Sequence, residues 1–490
     1  MRSTVLLGLA ASLLPQIQAV PTPTAQDGDL NPFPENPVEL AVKNLNNLVN
    51  ETLRNPPTNG LFDRLIEDFQ LVTATAVPVS IPAAADALKE ILVSAPEPSN
   101  LFGYAGSLAA AGLSKDNVPD LLNFAKGAIG PENSFRNVNL RRSSIKVFPK
   151  ADPKDAPFSL SEADLRAAIH IPSSFKYGAR GAPNPIILVP GTGATGYTTF
   201  VGNYIPLLQG SNIADPVWLN IPGFLLGDAQ VHAEYVAYAV NYIHGISNKR
   251  KVSVAAWSQG SIDGQWAFKY WPSARAKVTD FITFSGDYAG TINANFLATP
   301  GIPLPPAVLQ QEAGSNFIKT LRANGGDSAY VPTTSVYSSF FDEIVQPQAG
   351  TAASAFIKDA RRVGVSNNEV QQICPGAPAG SFFTHEGVLY NAIGFALLKD
   401  ALSHEGPGKV SRIPGLDSLC TNFLSPGLDL SDFLLTENAI LIAALTIVTY
   451  PEKVTTEPAI KGEIDIMMRR GECAYTDRLA AYASRHQGYY

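Results

Sequence analysis

A serine stands where "KVSVAAWSQGSIDGQWAFKYWPS", residues 251–273, changes from one pattern to another. The first part is a β-branched, apolar run that predicts a strand, and the last part has the apolar spacing of an amphipathic helix. A tight turn between them would raise the hydroxyl of Ser258 above the edge of a sheet, where a substrate carbonyl could meet it. Gly260 suits such a turn, because strand and helix approach each other closely there. A plain helix N-cap is the competing interpretation of this serine.

A nucleophilic serine needs a base, and the base needs an acid that orients it. In α/β-hydrolases, whose nucleophile occupies a strand-turn-helix of this kind, the order along the chain is Ser, Asp or Glu, then His. Three histidines follow Ser258: His385, His404 and His486. His385 is the best candidate because it lies between an apolar stretch and the helical pattern "NAIGFALLKDAL", whereas His404 occupies a polar turn and His486 the terminal tail.

Two aspartates compete for the role of the acid. Asp287 ends the predicted strand "FITFSGD", and Asp342 ends the predicted strand "SVYSSFFDE". Both sites are ones at which a parallel sheet delivers side chains to its carboxyl edge. The later strand is the commoner source of the acid, which favours Asp342, but these patterns leave Asp287 open.

A glycine-rich segment, "IILVPGTGATGY" (186–197), follows a predicted strand well before the serine. That position suits the loop that gives the second donor of an oxyanion hole. A phosphate-binding loop is disfavoured because the G-x-x-x-x-G-K-[ST] pattern is missing. The sequence has no His, Cys or carboxylate cluster at metal-ligand spacing. We therefore expect no metal and no organic cofactor.

The segments that hold these residues alternate between strand and helix patterns over residues 151–490. Strands are predicted at "NPIILVPGTG", "KVSVAAWSQG", "VTDFITFSGD" and "YVPTTSVYSSFFDEIVQP", with helices between them. The alternation predicts an α/β fold, a mostly parallel sheet flanked by helices. Residues 20–150 instead repeat apolar residues at three and four, as in "LFDRLIEDFQLV" and "AAADALKEILV", which predicts a helical N-terminal extension or pro-region without chemistry of its own.

The N-terminus has the pattern of a secretory signal peptide over residues 1–19, with one arginine, an apolar core and a small residue at Ala19. A membrane anchor is the alternative, but the apolar core is shorter than the roughly 20 residues that span a bilayer. The apolar segment 439–450 is also too short, so we expect no stable membrane insertion. Export makes Asn50, in the sequon Asn50-Glu51-Thr52, a candidate glycosylation site.

Composition limits the classes of partner. Hydrophobic residues make up 45% of the 490-residue chain and charged residues 16%, which permits a sizeable core. The net charge of -7 leaves no basic stripe for phosphates, so we expect no nucleic acid partner. The three cysteines of an exported chain predict one disulfide and one leftover thiol.

The blocks "IILVPGTGATG", "AWSQGSIDGQW", "SGDYAGT" and "VPTTSVYSSFFDEIVQPQ" resemble, in order and spacing, those of the fungal lipase family of Candida antarctica lipase B. The likeness covers about residues 155–475. It implies an α/β-hydrolase fold with Ser258 as nucleophile, Asp342 as acid and His385 as base. It also implies an oxyanion hole formed by Thr192 and Gln259, through backbone N–H groups and the Thr192 hydroxyl. The substrate pocket that it implies is lined by Asp287, Gln311 and Trp257.

The chain departs from the family pattern at its cysteines. Of three family disulfides, the resemblance implies one here, between Cys374 and Cys420. The positions of a second, near His170 and Val217, lack both cysteines, and Cys473 has lost its partner. The segment 291–310 stands in the place of a short mobile helix, although its prolines disfavour a helix. "ENAILIAALTIVTY" matches a long apolar helix over the pocket mouth, with a core helix as the alternative.

Together these features predict a secreted serine carboxylic-ester hydrolase, a triacylglycerol lipase that acts through an acyl-enzyme. Its substrate would be a lipid or another ester, met at an oil–water interface or in solution. An esterase or acyltransferase on other esters, and a catalytically inactive lipid-binding protein, are the alternatives.

Overall fold

Seven strands of the described residues form one sheet, in the spatial order β1-β3-β2-β4-β5-β6-β7. Neighbouring strands are parallel, except that the edge strand β1 runs antiparallel to β3. The predicted mostly parallel sheet is confirmed. The strands are β1 (Ile169–His170), β2 (Pro185–Val189), β3 (Asp215–Leu219), β4 (Val252–Trp257), β5 (Val278–Phe284), β6 (Thr333–Tyr337) and β7 (Val365–Glu369).

This computed structural model describes residues 61–72, 74, 76–93, 101–293, 303–462, 464 and 467. Several predictions therefore fall outside the described residues: the signal peptide at 1–19, the sequon at Asn50 and the state of Cys473. Residues 294–302 of the segment 291–310 are also outside. The end of that segment does form a short helix, Pro306–Gln310, because its proline stands in the first turn, where no backbone N–H is needed.

Helices cover both faces of the sheet. Those of the described residues are Leu61–Leu71, Ile81–Val93, Leu101–Ala110, Val118–Ala125, Glu162–Ala167, Gly196–Phe200, Tyr204–Leu208, Ala229–Ile246, Gly260–Tyr270, Pro272–Arg275, Pro306–Gln310, Asn316–Arg322, Val370–Ile373, Ala392–Ser403, Leu416–Cys420 and Leu430–Thr449. We call the first four the N-terminal helices, Gly260–Tyr270 the elbow helix and Leu430–Thr449 the long apolar helix.

The alternation of side chains along β2 shows why its sequence is apolar throughout. Ile186 and Leu188 enter one core, while Ile187 and Val189 enter the other. The first core contains the N-terminal helices and the long apolar helix, and the second contains the elbow helix. Both faces of the sheet are therefore covered, as parallel sheets require.

Three strands were not predicted. β1 has only two residues, β3 begins with Asp215-Pro216, and β7 reads Val-Ser-Asn-Asn-Glu. None has the β-branched or alternating pattern that indicates a strand. Their place in the sheet comes from pairing with the apolar strands beside them.

The N-terminal helices share a core with the sheet. Leu88, Leu108 and Leu121 are buried in the same cluster as Ile440 of the long apolar helix. The contact is also polar, because the Lys115 N–H donates to Asn438 Oδ1 at 3.0 Å and Asn438 Nδ2 donates to Asp116 Oδ2 at 2.7 Å. The described residues belong to one compact unit. The boundary near residue 150 stays a prediction from composition.

The long apolar helix corrects the estimate that this segment is too short to span a membrane. It has 20 residues, because a capping box between Asp429 and Asp432 starts it well before the apolar run. By length and composition it is the one helix of the described residues that could cross a bilayer, but 83% of its apolar window is buried in the protein. Burial favours the core-helix interpretation.

Candidate active site

Ser258 occupies a strained turn at the end of β4. Its φ is +53°, in the left-handed region that non-glycine residues rarely adopt, and its N–H donates to the Phe284 carbonyl at 3.0 Å. A Cβ at Gly260 would lie 2.6 Å from the Pro190 carbonyl oxygen, so only glycine fits there. The residue at the N-cap of the elbow helix is Gln259, not Ser258. The geometry is that of an elbow that presents a hydroxyl, rather than that of an N-capping serine.

His385 contacts Asp342 through its Nδ1 atom. The distances to Oδ1 and Oδ2 are 3.0 and 2.9 Å, and both side chains are buried. Asp342 Oδ1 also accepts the N–H groups of Ile344 (3.1 Å) and Val345 (2.7 Å), which hold the carboxylate in place. Burial lowers the pKa of His385, but the charge of Asp342 and its hydrogen bond outweigh burial and raise it. Asp342 lies beyond the end of β6, in a loop, and not within the predicted strand.

Two elements beside the serine hold the backbone of His385. Its carbonyl accepts Trp257 Nε1 at 3.1 Å and Ser285 Oγ at 2.7 Å, and the rings of Trp257 and His385 lie 5.0 Å apart. Because Trp257 directly precedes Ser258, the imidazole lies next to the elbow. Its buried Nε2 atom has no hydrogen-bond partner among the described residues. No hydrogen bond therefore joins this nitrogen to Ser258 in this structure.

The glycine-rich loop after β2 reaches the elbow. A Cβ at Gly191 would lie 2.9 Å from the Cβ of Ser258, so the loop passes directly against the serine. The next residue, Thr192, places its Oγ1 2.8 Å from Gln259 Oε1 and 3.0 Å from Gln311 Oε1. Gln311 Nε2 donates to Gln259 Oε1 at 3.1 Å. The three residues that the resemblance assigns to the oxyanion hole and acyl pocket thus form one hydrogen-bonded group.

Asp287 is buried apart from the His385–Asp342 contact. Its Oδ1 accepts Ser261 Oγ at 3.2 Å, and its N–H donates to the same hydroxyl at 3.1 Å. Burial raises its pKa to about 7, against the charge of His385 and the Ser261 bond, which lower it. The pKa of Asp263 is raised first by burial and then by the charge of Asp287. Asp342, and not Asp287, contacts the imidazole.

The implied disulfide between Cys374 and Cys420 is present, with a Cα–Cα distance of 5.5 Å. Where the resemblance placed a second bridge, the His170 ring stacks on Trp218 with centroids 4.4 Å apart, and Val217 is buried in β3. Aromatic stacking thus joins β1 to β3 without a covalent link.

Sequence comparison finds a curated relative that is shorter than this chain. Over 264 aligned residues the chain is 35% identical to lipase B of Pseudozyma antarctica, an alignment that covers 53% of this chain and 71% of the relative. The chain belongs to the lipase B family. The crystal structure of Aspergillus fumigatus lipase B agrees: it matches 86% of this chain and 99% of its own, at 42% identity and a TM-score of 0.75. No family model matches the chain.

The resemblance to the lipase B family and the α/β-hydrolase fold are therefore confirmed, and the chain is an ester hydrolase of the lipase and carboxylesterase class. The alignment with the Pseudozyma relative covers about half of the chain, whereas the match to the Aspergillus structure covers most of it. Within the described residues, no three His, Cys, Asp or Glu side chains are arranged to hold a metal ion.

Sequence reasoning missed several buried polar residues of this lipase B family site. His232 Nδ1 lies 2.9 Å from Gln259 Nε2, and burial lowers its pKa to about 3, so it is neutral and accepts this hydrogen bond. Glu343 and Glu386 directly follow the acid and the base, and Glu437 interrupts an apolar run. A charged residue within an apolar helix was the available signal.

Proposed function

We propose that this lipase B family member is a secreted carboxylic-ester hydrolase that acts on triacylglycerol. Ser258 is the nucleophile, His385 the base and Asp342 the acid that orients it. The observation that carries the proposal is the imidazole bound to Asp342 through Nδ1, beside a serine held at positive φ, with Nε2 unpartnered.

In this mechanism the Nδ1–H of neutral His385 donates to Asp342, which fixes the tautomer with a free Nε2. As Ser258 Oγ attacks the ester carbonyl, Nε2 takes its proton, and the charge of Asp342 stabilises the imidazolium. The proton then passes to the leaving alcohol, which departs and leaves an acyl-serine. Water attacks that ester with His385 again as base, and the acid is released.

The oxyanion of each tetrahedral intermediate is held by the backbone N–H groups of Thr192 and Gln259 and by the Thr192 hydroxyl. In the free enzyme this hydroxyl donates to a glutamine amide oxygen, so it turns toward the oxyanion when substrate binds. One such donor typically contributes about 3–4 kcal/mol to the lowering of the barrier.

Two features support a lipid substrate. Phe340, two residues before Asp342, is 72% exposed, and the exposed Ile292 lies on a segment hydrogen-bonded to the Asp342 loop, with its N–H on the Gln346 carbonyl at 3.0 Å. Exposed apolar side chains beside an active site suit contact with an oil–water interface. The signal-peptide pattern and the disulfide support secretion, because disulfides persist in oxidising compartments.

The test compares hydrolysis of short-chain and long-chain acyl esters, in solution and as emulsions, by the wild type and Ser258→Ala. We expect emulsified long-chain triacylglycerol to be hydrolysed, and the substitution to reduce the rate by at least about 10³-fold. Activity that survives the substitution would end the assignment of the nucleophile.

Labelling with an organophosphonate is the matched control, since it needs the nucleophile but no natural substrate. Labelling without hydrolysis of any triacylglycerol would point to a different ester. Ester formation in an alcohol-rich medium at the expense of hydrolysis would indicate an acyltransferase. Absence of both labelling and hydrolysis would indicate an inactive lipid-binding protein.

A further inference from the structure

A chain of hydrogen bonds leads from the glycine-rich loop after β2 to a histidine outside the Ser-His-Asp set. Thr192 Oγ1 lies within hydrogen-bond distance of two amide oxygens, Oε1 of Gln259 at 2.8 Å and Oε1 of Gln311 at 3.0 Å. Gln259 Nε2 continues the chain to His232 Nδ1 at 2.9 Å. Both glutamines and the histidine are buried, so a hydrogen bond left unmade among them would be costly.

The backbone sets the orientation of the Gln311 amide. Its Nε2 lies 3.0 Å from the carbonyl oxygen of Ala307, which can only accept a hydrogen bond. The donor side of this amide is therefore fixed, and the same NH2 group lies 3.1 Å from Gln259 Oε1. Only an oxygen can meet that donor. The Gln259 amide must therefore face Gln311 and Thr192 with its oxygen.

The orientation of the Gln259 amide decides the tautomer of His232. With its oxygen toward Gln311, Gln259 presents its NH2 group to His232 Nδ1, which must then accept. An imidazolium has no acceptor, so His232 must be neutral with its proton on Nε2. Its surroundings favour that form: burial lowers its pKa to about 3, and it lies in the first turn of the helix Ala229–Ile246, whose positive end disfavours a cation.

We propose that His232 is a positioning residue for the oxyanion hole: by accepting from Gln259 Nε2, it holds this glutamine so that its side-chain oxygen receives the Thr192 hydroxyl and its backbone N–H stays aimed at the oxyanion. The proposal rests on the proposed roles of Thr192 and Gln259 as oxyanion donors. His232 acts only through Gln259, which directly follows the nucleophile and caps the elbow helix. The helix that carries His232 is fixed beside this group, because the Ala229 N–H donates to Gln310 Oε1 at 2.8 Å.

Leucine and asparagine at position 232 form a matched pair of variants. They have the same branched shape, but asparagine places an acceptor oxygen where histidine has Nδ1, whereas leucine places a methyl group there. In His232→Leu the buried Gln259 Nε2 keeps only its 3.5 Å contact with Asp263 Oδ2. We expect kcat to fall about tenfold or more, with KM within about twofold of the wild type, because the lost support acts in the transition state. His232→Asn should retain kcat within about threefold.

A role in packing alone would give the opposite order of the two variants. A buried leucine costs less than a buried asparagine, so leucine would be the better replacement for a histidine that only fills space. An unchanged kcat in His232→Leu, an equal or greater loss in His232→Asn, or a change in KM alone would overturn the proposal. Thermal unfolding of both variants checks that each is folded at the temperature of the assay.

The tautomer of His232 is the second measurement, and it needs no substrate. Nuclear magnetic resonance of the full-length chain labelled with ¹⁵N-histidine should show a proton on Nε2 and none on Nδ1 from about pH 5 to about pH 8, and the loss of the signal in His232→Asn assigns it. A protonated Nδ1 would overturn the proposal, and this result decides if His232→Leu does not fold. If no ester is hydrolysed, the rate of organophosphonate labelling replaces kcat, and Ser258→Ala tests the nucleophile separately.

Discussion

Two buried acids, Glu386 before the helix Ala392–Ser403 and Asp400 in its last turn, have opposite surroundings. Near its end, Asp400 binds Arg412 through two nitrogens, with Nε 3.1 Å from Oδ1 and Nη2 2.6 Å from Oδ2. Before its start, Glu386 Oε1 accepts a hydrogen bond from the Tyr104 hydroxyl at 3.3 Å. Burial raises the pKa of both, but Arg412 and the Lys409 N–H reverse the shift for Asp400, whereas the pKa of Glu386 stays raised. Burial alone therefore does not fix the charge of a carboxyl, and the partner does.

The strongest test of this comparison concerns an acid whose partner is a base. Asp342→Asn leaves the shape of the His385 contact but removes its charge and permits the wrong tautomer. We expect kcat to fall by about 10⁴-fold, with substrate binding little changed. His385→Asn in the same background should add little further loss, because the two residues act as a unit. Independent, multiplicative losses in steady-state kinetics would show that they do not.

Arg412→Met removes the basic partner of Asp400, a pair that takes no part in the proposed chemistry. It leaves Asp400, whose side chain is 5% exposed, without its counter-ion, so we expect a loss of about 2–4 kcal/mol in the free energy of unfolding at pH 7. The exposed pair Lys358–Asp327 offers the control: Lys358→Met should cost less than about 1 kcal/mol in the same denaturant titration.

The direction of the Asp400 pKa shift determines how the loss of stability in Arg412→Met depends on pH. The pKa of Asp400 is lower in the folded protein than its ordinary value of 3.8, so the pair stabilises the fold above that pH. The contribution disappears as the pH falls through the folded pKa. Wild type and Arg412→Met should therefore converge in very acidic buffer, and a constant difference would contradict the ion-pair account.

Glu437→Gln tests a buried acid whose hydrogen-bond partner is a tyrosine, Tyr390, rather than a base. The pKa of Glu437 is raised well above 4.5 in the folded state, so the folded protein retains a proton that the unfolded chain loses. Wild-type stability should then fall as the pH rises above about 4.5, by at most about 1.4 kcal/mol per pH unit for this group. Glutamine has no proton to lose, so the variant should show a flatter profile in unfolding measurements from pH 5 to 8. A parallel profile would place the proton elsewhere.

Asp287→Asn gives the smallest effect. Because the pKa of Asp287 is about 7, the wild type should show a several-fold inflection of kcat/KM near neutral pH that the variant lacks. Comparison of acyl esters of different chain length would locate the effect on the acyl side. An inflection that persists in the variant would assign that titration to another group.

Much of the site could be predicted because its parts follow local rules. The strand before Ser258, the glycine loop after β2 and the position of His385 before a helix are short-range patterns, and the lipase B likeness then selected Asp342 over Asp287. Chain patterns could not separate those aspartates, because both follow strands that end at the same edge. The separation needed the actual contact with Nδ1.

The buried acids could not be predicted for a different reason. Glu343 and Glu386 each resemble an ordinary surface residue, and only Glu437, within the long apolar helix, carries a local signal. Only the packing of Tyr104 and the long apolar helix behind the histidine makes them a cluster. The same holds for β1, β3 and β7, which owe their conformation to their neighbours in the sheet.

The shared core of the N-terminal helices and the long apolar helix bears on how this enzyme would be manufactured. A truncated protein that starts near residue 150 would lack Leu88, Leu108 and Leu121 and would expose to solvent the apolar surface that they cover. Such a product would aggregate during purification, even though it retains every residue that contacts the ester.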